Sequence, residues 1–168
     1  IRTIFNMLGP LSNPSNAKHQ LIGVFSRDAV RMFARSMKGM GATKAMVVCG
    51  ADGMDEVTVT GKTFVNEIRN GEILEYEIDP HDYGIEYAQP EDICGGTSEE
   101  NAKIALDVFK GARGPKRDIV LLNSGCGIYI GDKAESIADG IKLAAEMIDS
   151  GKALEMVEKM ARKTREFA

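Results

Sequence analysis

Two spacings of apolar residues succeed one another at the start of the chain. "QLIGVF", Gln20 to Phe25, is a short apolar run of the kind that forms a strand buried on both faces. Beyond Ser26, which can cap a helix, Ala29, Val30, Phe33, Ala34 and Met37 recur at intervals of three and four. That spacing predicts an amphipathic helix over 27–38, ending at Gly39 and Gly41. "KAMVVCG" then returns to an unbroken run, a second buried strand. A strand, a helix and a strand in such a short span make a βαβ unit, which implies a parallel sheet with helices on its faces.

After Glu56 the period changes to two. "TVTGKTFVNEIRNGEILEYEID" alternates polar and apolar residues in two runs joined at Asn70-Gly71, the dipeptide best suited to a type I′ hairpin turn. The segment predicts an antiparallel excursion whose charged positions, Glu67, Arg69, Glu75 and Glu77, form a solvated face. Thr97 to Glu100 match the Ser/Thr-x-x-Glu capping box, opening a helix striped by Ile104, Ala105, Val108 and Phe109 and ending near Gly111. Another stripe through Ile137, Ile141, Ala144, Ala145 and Ile148 predicts a helix with Gly151 as its C′ residue, and a last helix covers Leu154 to Phe167.

"RDIVLLNSGCGIYIGD", Arg117 to Asp132, admits two readings. Its apolar run alone suggests strand, glycine loop and helix, with Gly125, Gly127 and Gly131 resembling a dinucleotide-binding turn. The spacing is G-x-G-x-x-x-G rather than G-x-G-x-x-G, however, and everything after it reads as helix, so no βαβ unit can close. The competing reading is a helix whose small residues permit close packing. The fold class that follows is α/β: one domain over residues 1–168, a mainly parallel sheet flanked by helices, with an antiparallel hairpin excursion.

Composition narrows the function. At 168 residues and 43% hydrophobic content the chain can bury a sizeable core. No apolar run approaches the ~20 residues of a membrane span, and the three cysteines, Cys49, Cys94 and Cys126, are too scattered for a disulfide framework or zinc cluster, which points to a reducing, cytoplasmic setting. The formal charge of −4 gives no electrostatic basis for binding nucleic acid. The cationic clusters Arg113, Lys116, Arg117 and Lys159, Arg162, Lys163, Arg165 read as helix-end residues that complement the macrodipole.

Candidate chemistry concentrates in "VVCGADGMDEV". Asp55 and Glu56 lie in a loop just past a buried parallel strand, where open α/β sheets bind ligands. Adjacent side chains on an extended backbone diverge, so the two carboxylates converge on one ion only if the chain turns, and Asp52-Gly53 supplies a turn. Magnesium is commonly held by one or two carboxylates plus substrate phosphates. On the residues alone a solvated turn is the commoner explanation of such a pair. Gly9-Pro10 and Asn13-Pro14 form a rigid loop that either lines a small-molecule pocket or connects along the surface. Gly95-Gly96 either offers N–H groups to an anion or simply enters a helix. Neither His19 nor His81 has a partner at a telling spacing.

Together, "RTIFNMLGPLSNP", "GADGMDEVT", "GGTSEENA", "RDIVLLN" and "GIKLAAEMIDSGKA" resemble, in that order, the anthranilate phosphoribosyltransferases of tryptophan biosynthesis, from Arg2 to about Ala153. The resemblance implies part of the large domain of the fold shared with class II nucleoside phosphorylases. It implies transfer of a phosphoribosyl group from phosphoribosyl pyrophosphate to anthranilate. It further implies that Asp55 and Glu56 bind two magnesium ions with the pyrophosphate, and that Gly9 and Pro10 line the anthranilate channel. In the family a Gly-Thr-Gly-Gly-Asp phosphate loop, a Lys-His-Gly-Asn segment and a helical domain used for homodimerisation precede the Arg-Thr-x-Phe-Asn motif. The anthranilate-contacting arginine belongs to a Pro-Val-Arg motif upstream, so Arg2 reads as structural. The expectation is therefore a C-terminal fragment with negligible activity alone. The family usually has alanines in a helix where this chain has "NSGCG", which favours the helical reading there. Two alternatives remain open on the sequence: a pyrimidine nucleoside phosphorylase relative, and a non-catalytic, nucleic-acid-binding homologue of the same fold.

Overall fold

The computed structural model describes Gly9, Leu11, Ser12 and residues 17–167. Among these, one sheet runs in the order β1 (His19–Gly23), β2 (Lys44–Gly50), β3 (Thr63–Arg69) and β4 (Glu72–Ile78). The helices are α1 (Arg27–Gly39), the short α2 (Pro90–Ile93), α3 (Ser98–Phe109), α4 (Pro115–Ile130), α5 (Ile137–Asp149) and α6 (Lys152–Arg165).

β1 and β2 pair in parallel around α1, as the βαβ pattern predicts. Ser26 Oγ accepts from the Ala29 N–H at 3.3 Å and starts that helix, whose stripe Ala29, Val30, Phe33, Ala34 and Met37 is buried throughout. The α/β class holds, with one adjustment. The hairpin is not an appendage: β3 pairs antiparallel along the whole of β2, from Lys44–Arg69 to Gly50–Thr63, so the sheet is mixed. Its turn is the expected one, with Asn70 at φ 54° and Gly71 at φ 78°.

β2 is covered on both faces, which is why its sequence reads as an unbroken apolar run. Ala45, Val47 and Cys49 pack with α1, whereas Met46 and Val48 join Leu122, Cys126, Tyr129 and Ile130 of α4. The predicted capping box is present: the Glu100 N–H donates to Thr97 Oγ1 at 3.3 Å and the Thr97 N–H to Glu100 Oε2 at 2.7 Å.

The strand–loop–helix reading of Arg117 to Asp132 is overturned by α4, one continuous helix. The small residues serve packing. A Cβ on Gly140 would fall 2.3 Å from the Gly125 carbonyl oxygen, and one on Gly125 would fall 2.4 Å from Ile141, so α4 and α5 cross at backbone contact.

Two charge readings also need correction. Glu67 is 2% exposed rather than solvated. β3 is an interior strand with α1 on one face and α4 on the other, so alternation assigns each side chain a face without leaving either face to water. Glu67 points toward α4, where Oε1 accepts from the Tyr129 hydroxyl at 2.7 Å and Oε2 from the Tyr76 hydroxyl at 2.9 Å, with Arg69 Nε 3.7 Å from Oε1. Arg117 stands in the first turn of α4, the end where the macrodipole disfavours a cation. Its side chain is 1% exposed and lies 2.8 Å from the Asp149 carboxylate at the end of α5, an opposite charge that acts against both penalties.

Candidate functional site

The loop after β2 is organised by Asp52, a residue the sequence reading treated only as part of a turn. Asp52 Oδ1 accepts from the Met54 N–H at 3.0 Å; Oδ2 accepts from the Thr58 hydroxyl at 2.6 Å and from the Thr60 hydroxyl. The Gly53 N–H donates to the Gly50 carbonyl at 2.9 Å, and Gly53 takes φ 89°, so the chain doubles back. Burial alone would raise the Asp52 carboxyl, yet the bonds from Thr58, Thr60 and the Met54 N–H hold it below the usual aspartate range.

The turn delivers Asp55 and Glu56 to a defined place. A Cβ on Gly23, the last residue of β1, would lie 1.4 Å from the Asp55 carbonyl oxygen. The acidic loop therefore crosses the carboxyl end of β1 as well as that of β2, the edge where parallel α/β strands present their ligand sites. Immediately afterwards Val57 and Val59 are fully buried in the α4-side core. From α4, Asn123 Oδ1 accepts the Val57 N–H at 2.9 Å and Asn123 Nδ2 donates to the Val57 carbonyl at 2.7 Å.

Asp55 is exposed and Glu56 half-buried. Partial burial, then the charges of Asp55 and Asp52, raise the Glu56 carboxyl above its usual value. Cys49, just before the loop, has its thiol pushed up by burial and by the charges of Asp52 and Asp55, which makes it a poor nucleophile.

This donor set suits magnesium. Among the described residues the chain offers two neighbouring carboxylates with no cation paired to them, and no group of three or more ligating side chains gathers. A protein cage is thus absent there, and a hard cation that keeps waters and shares substrate phosphates fits what is present.

The other candidates fare differently. Gly9 is exposed, with open space where a Cβ would stand, and Leu11 anchors the segment to the α1-side core; Pro10, Asn13 and Pro14 lie outside the described residues, as does Arg2. The Gly96 N–H is taken by Asn101 Oδ1 at 2.8 Å, so the glycine pair enters α3 rather than offering that group to an anion. His19 lies 3.5 Å from Asp132, and His81 lies 3.3 Å from Asp79.

Residues 1–154 match the model of the glycosyl transferase family, a/b domain. The chain belongs to this family. Within it, the chain is 52% identical over 167 residues to the anthranilate phosphoribosyltransferase of Acetivibrio thermocellus, covering 99% of this chain and 48% of that protein. The corresponding enzyme of Rubrobacter xylanophilus is 48% identical over 168 residues, covering 99% and 49%. Among solved structures, anthranilate phosphoribosyltransferase from Thermus thermophilus superposes with a TM-score of 0.86 at 38% identity, over 95% of this chain and 47% of that one. The Saccharomyces cerevisiae enzyme in complex with PRPP and Mg gives a TM-score of 0.84 at 29% identity, over 94% and 46%. The same yeast enzyme is also known with 4-fluoroanthranilate, with a TM-score of 0.83 at 28% identity, over 94% and 46%. The chain thus spans about half the length of the relatives it matches. The glycosyltransferase fold and the likeness to anthranilate phosphoribosyltransferases expected from the sequence motifs are both borne out. Among the described residues no helix is long and apolar enough to cross a membrane.

Asn123, Asp52 and Gly23 were missed as parts of the site. Asp52 carried a local signal, since an aspartate before glycine favours a side-chain-bonded turn. Asn123 and Gly23 carried none, because their roles depend on contacts between segments distant in sequence.

Proposed function

We propose that the full-length protein transfers a phosphoribosyl group from phosphoribosyl pyrophosphate to the amino group of anthranilate, giving phosphoribosylanthranilate and pyrophosphate. This chain would be the C-terminal part of its catalytic α/β domain. The observation that carries the reading is the loop Asp52–Val57: a carboxylate pair without a cation partner among the described residues, set over the ends of two parallel strands, in a chain resembling enzymes of this activity along nearly its whole length.

In this reading Asp55 and Glu56 hold two magnesium ions together with the pyrophosphate of the substrate. Magnesium bound there would neutralise charge developing on the departing pyrophosphate, the main demand of a reaction that separates an anionic leaving group from an electron-poor ribosyl carbon. The chain's own contribution is placement. Asp52 shapes the turn, Gly23 lets the loop lie against β1, and the buried Val57 and Val59 anchor its far side. No nucleophilic side chain is required, in keeping with a Cys49 thiol held protonated. Gly9 and Pro10 would line the anthranilate channel, and the three free cysteines suit a cytoplasmic enzyme.

The test is turnover by the full-length protein, followed as loss of anthranilate fluorescence. Consumption of anthranilate that requires both phosphoribosyl pyrophosphate and magnesium is expected. Nucleoside phosphorolysis in place of it would overturn the assignment.

A further inference from the structure

Among the described residues no side chain pairs with the carboxylates of Asp55 or Glu56, so their placement there depends on the backbone on either side. On the Glu56 side the next residue, Val57, is held by the side chain of Asn123, and the one after it, Thr58, has its N–H bonded to Thr63 Oγ1 at 3.0 Å. Asn123 presents Oδ1 to the Val57 N–H at 2.9 Å and Nδ2 to the Val57 carbonyl at 2.7 Å, gripping one residue at both of its polar groups, as a neighbouring strand would. Nδ2 also donates to the carbonyl of Ile119, one turn back on α4, at 2.9 Å. Two carbonyls facing Nδ2 and one N–H facing Oδ1 fix the orientation of the amide.

We propose that Asn123 is a positioning residue for the Asp55–Glu56 pair, setting the direction in which Glu56 leaves the loop and hence the affinity of the site for a divalent cation. The proposal rests on the reading of that pair as the magnesium site. Three features make the grip effective. It is partly buried, so water does not replace it without cost. Val57 itself is fully buried and cannot shift without opening the core. And α4 is immobilised two residues further on by the backbone contact between Gly125 and Gly140. Helix, amide, Val57 and Glu56 thus form a short rigid path from the core to the site. Leucine at 123 removes both partners of Val57 at similar size; aspartate keeps the acceptor and replaces the donor with a group that repels the two carbonyls.

The experiment measures binding of Mn2+, a paramagnetic substitute for magnesium, to the full-length protein with inorganic pyrophosphate present, by electron paramagnetic resonance. Wild type, Asn123→Leu, Asn123→Asp and Asp55→Asn are compared, with melting temperature recorded for each. The expected result is Mn2+ binding weakened about tenfold in Asn123→Leu, the size of effect seen when a group supporting a metal ligand is removed. Weakening is also expected in Asn123→Asp, which decides the matter if the leucine variant does not fold. A lower melting temperature with Mn2+ affinity within about twofold of wild type would mean a purely structural clamp and would overturn the proposal, provided Asp55→Asn has lost the metal. Undiminished Mn2+ binding by Asp55→Asn would instead remove the metal assignment itself, and the proposal with it.

Discussion

Gly23 and Asp55 are in backbone contact: a methyl group on Gly23 would fall 1.4 Å from the Asp55 carbonyl oxygen. No rotamer relieves such an overlap, because the obstacle is main chain on both sides. The end of β1 and the acidic loop have to part if any side chain is introduced there. Gly23→Ala is therefore expected to destabilise the protein by about 1–3 kcal/mol, and to lower magnesium-dependent turnover beyond what the lost stability explains. Denaturant titration together with steady-state kinetics of the full-length protein checks both. A variant with unchanged stability and unchanged magnesium requirement would show that the loop does not depend on this contact.

Asp52 gives a pH signature. Its folded-state pKa is depressed, because the bonds from Thr58, Thr60 and Met54 outweigh the opposing effect of burial. A depressed carboxylate contributes stability that is present above its unfolded pKa and is lost as pH falls through the folded one. Asp52→Asn is expected to cost about 1 kcal/mol at neutral pH, modest because the residue is exposed and water screens its charge. The gap between variant and wild type should close as pH drops below ~3.9, the ordinary aspartate value. Urea denaturation at neutral and at acid pH measures it, and a gap that persisted unchanged into acid would refute the role given to the Asp52 charge.

Glu67 should be the costliest carboxylate to remove. Burial, followed by the charge of Glu67 and its hydrogen bond, keeps the Tyr76 phenol raised; Tyr129 is raised by burial, then by its bond to Glu67 and by the Glu67 charge. Glu67→Ala leaves both hydroxyls without their acceptor and Arg69 without its buried counter-charge, an expected loss of about 3 kcal/mol. Thermal denaturation of this variant beside Glu77→Ala, on an exposed position, gives the comparison. Equal losses would contradict the buried network.

Much of this architecture was legible from spacing alone. The βαβ start, the Asn70-Gly71 hairpin and the Thr97–Glu100 capping box each rest on neighbours in sequence, where local geometry determines the outcome. What escaped the sequence depended on distant partners. Arg117 to Asp132 could be read as strand or helix from its apolar run, and only the Gly125–Gly140 crossing explains why its glycines stay helical. Alternation marked the face of Glu67, but not that α4 covers that face. In the candidate site, the acids were visible as residues next to a turn, while the groups that place them, Gly23 and Asn123, lie 32 and 67 positions from Asp55 and Glu56 respectively.

The central claim is that Asp55 and Glu56 are the magnesium ligands of a phosphoribosyl transfer. Its most direct test is a magnesium titration of turnover from anthranilate and phosphoribosyl pyrophosphate by the full-length protein carrying Asp55→Ala with Glu56→Ala. Retention of the fold is verified by circular dichroism. The account predicts turnover reduced at least about a hundredfold at all magnesium concentrations, with secondary structure intact. Near-normal rates at the wild-type magnesium requirement would contradict it.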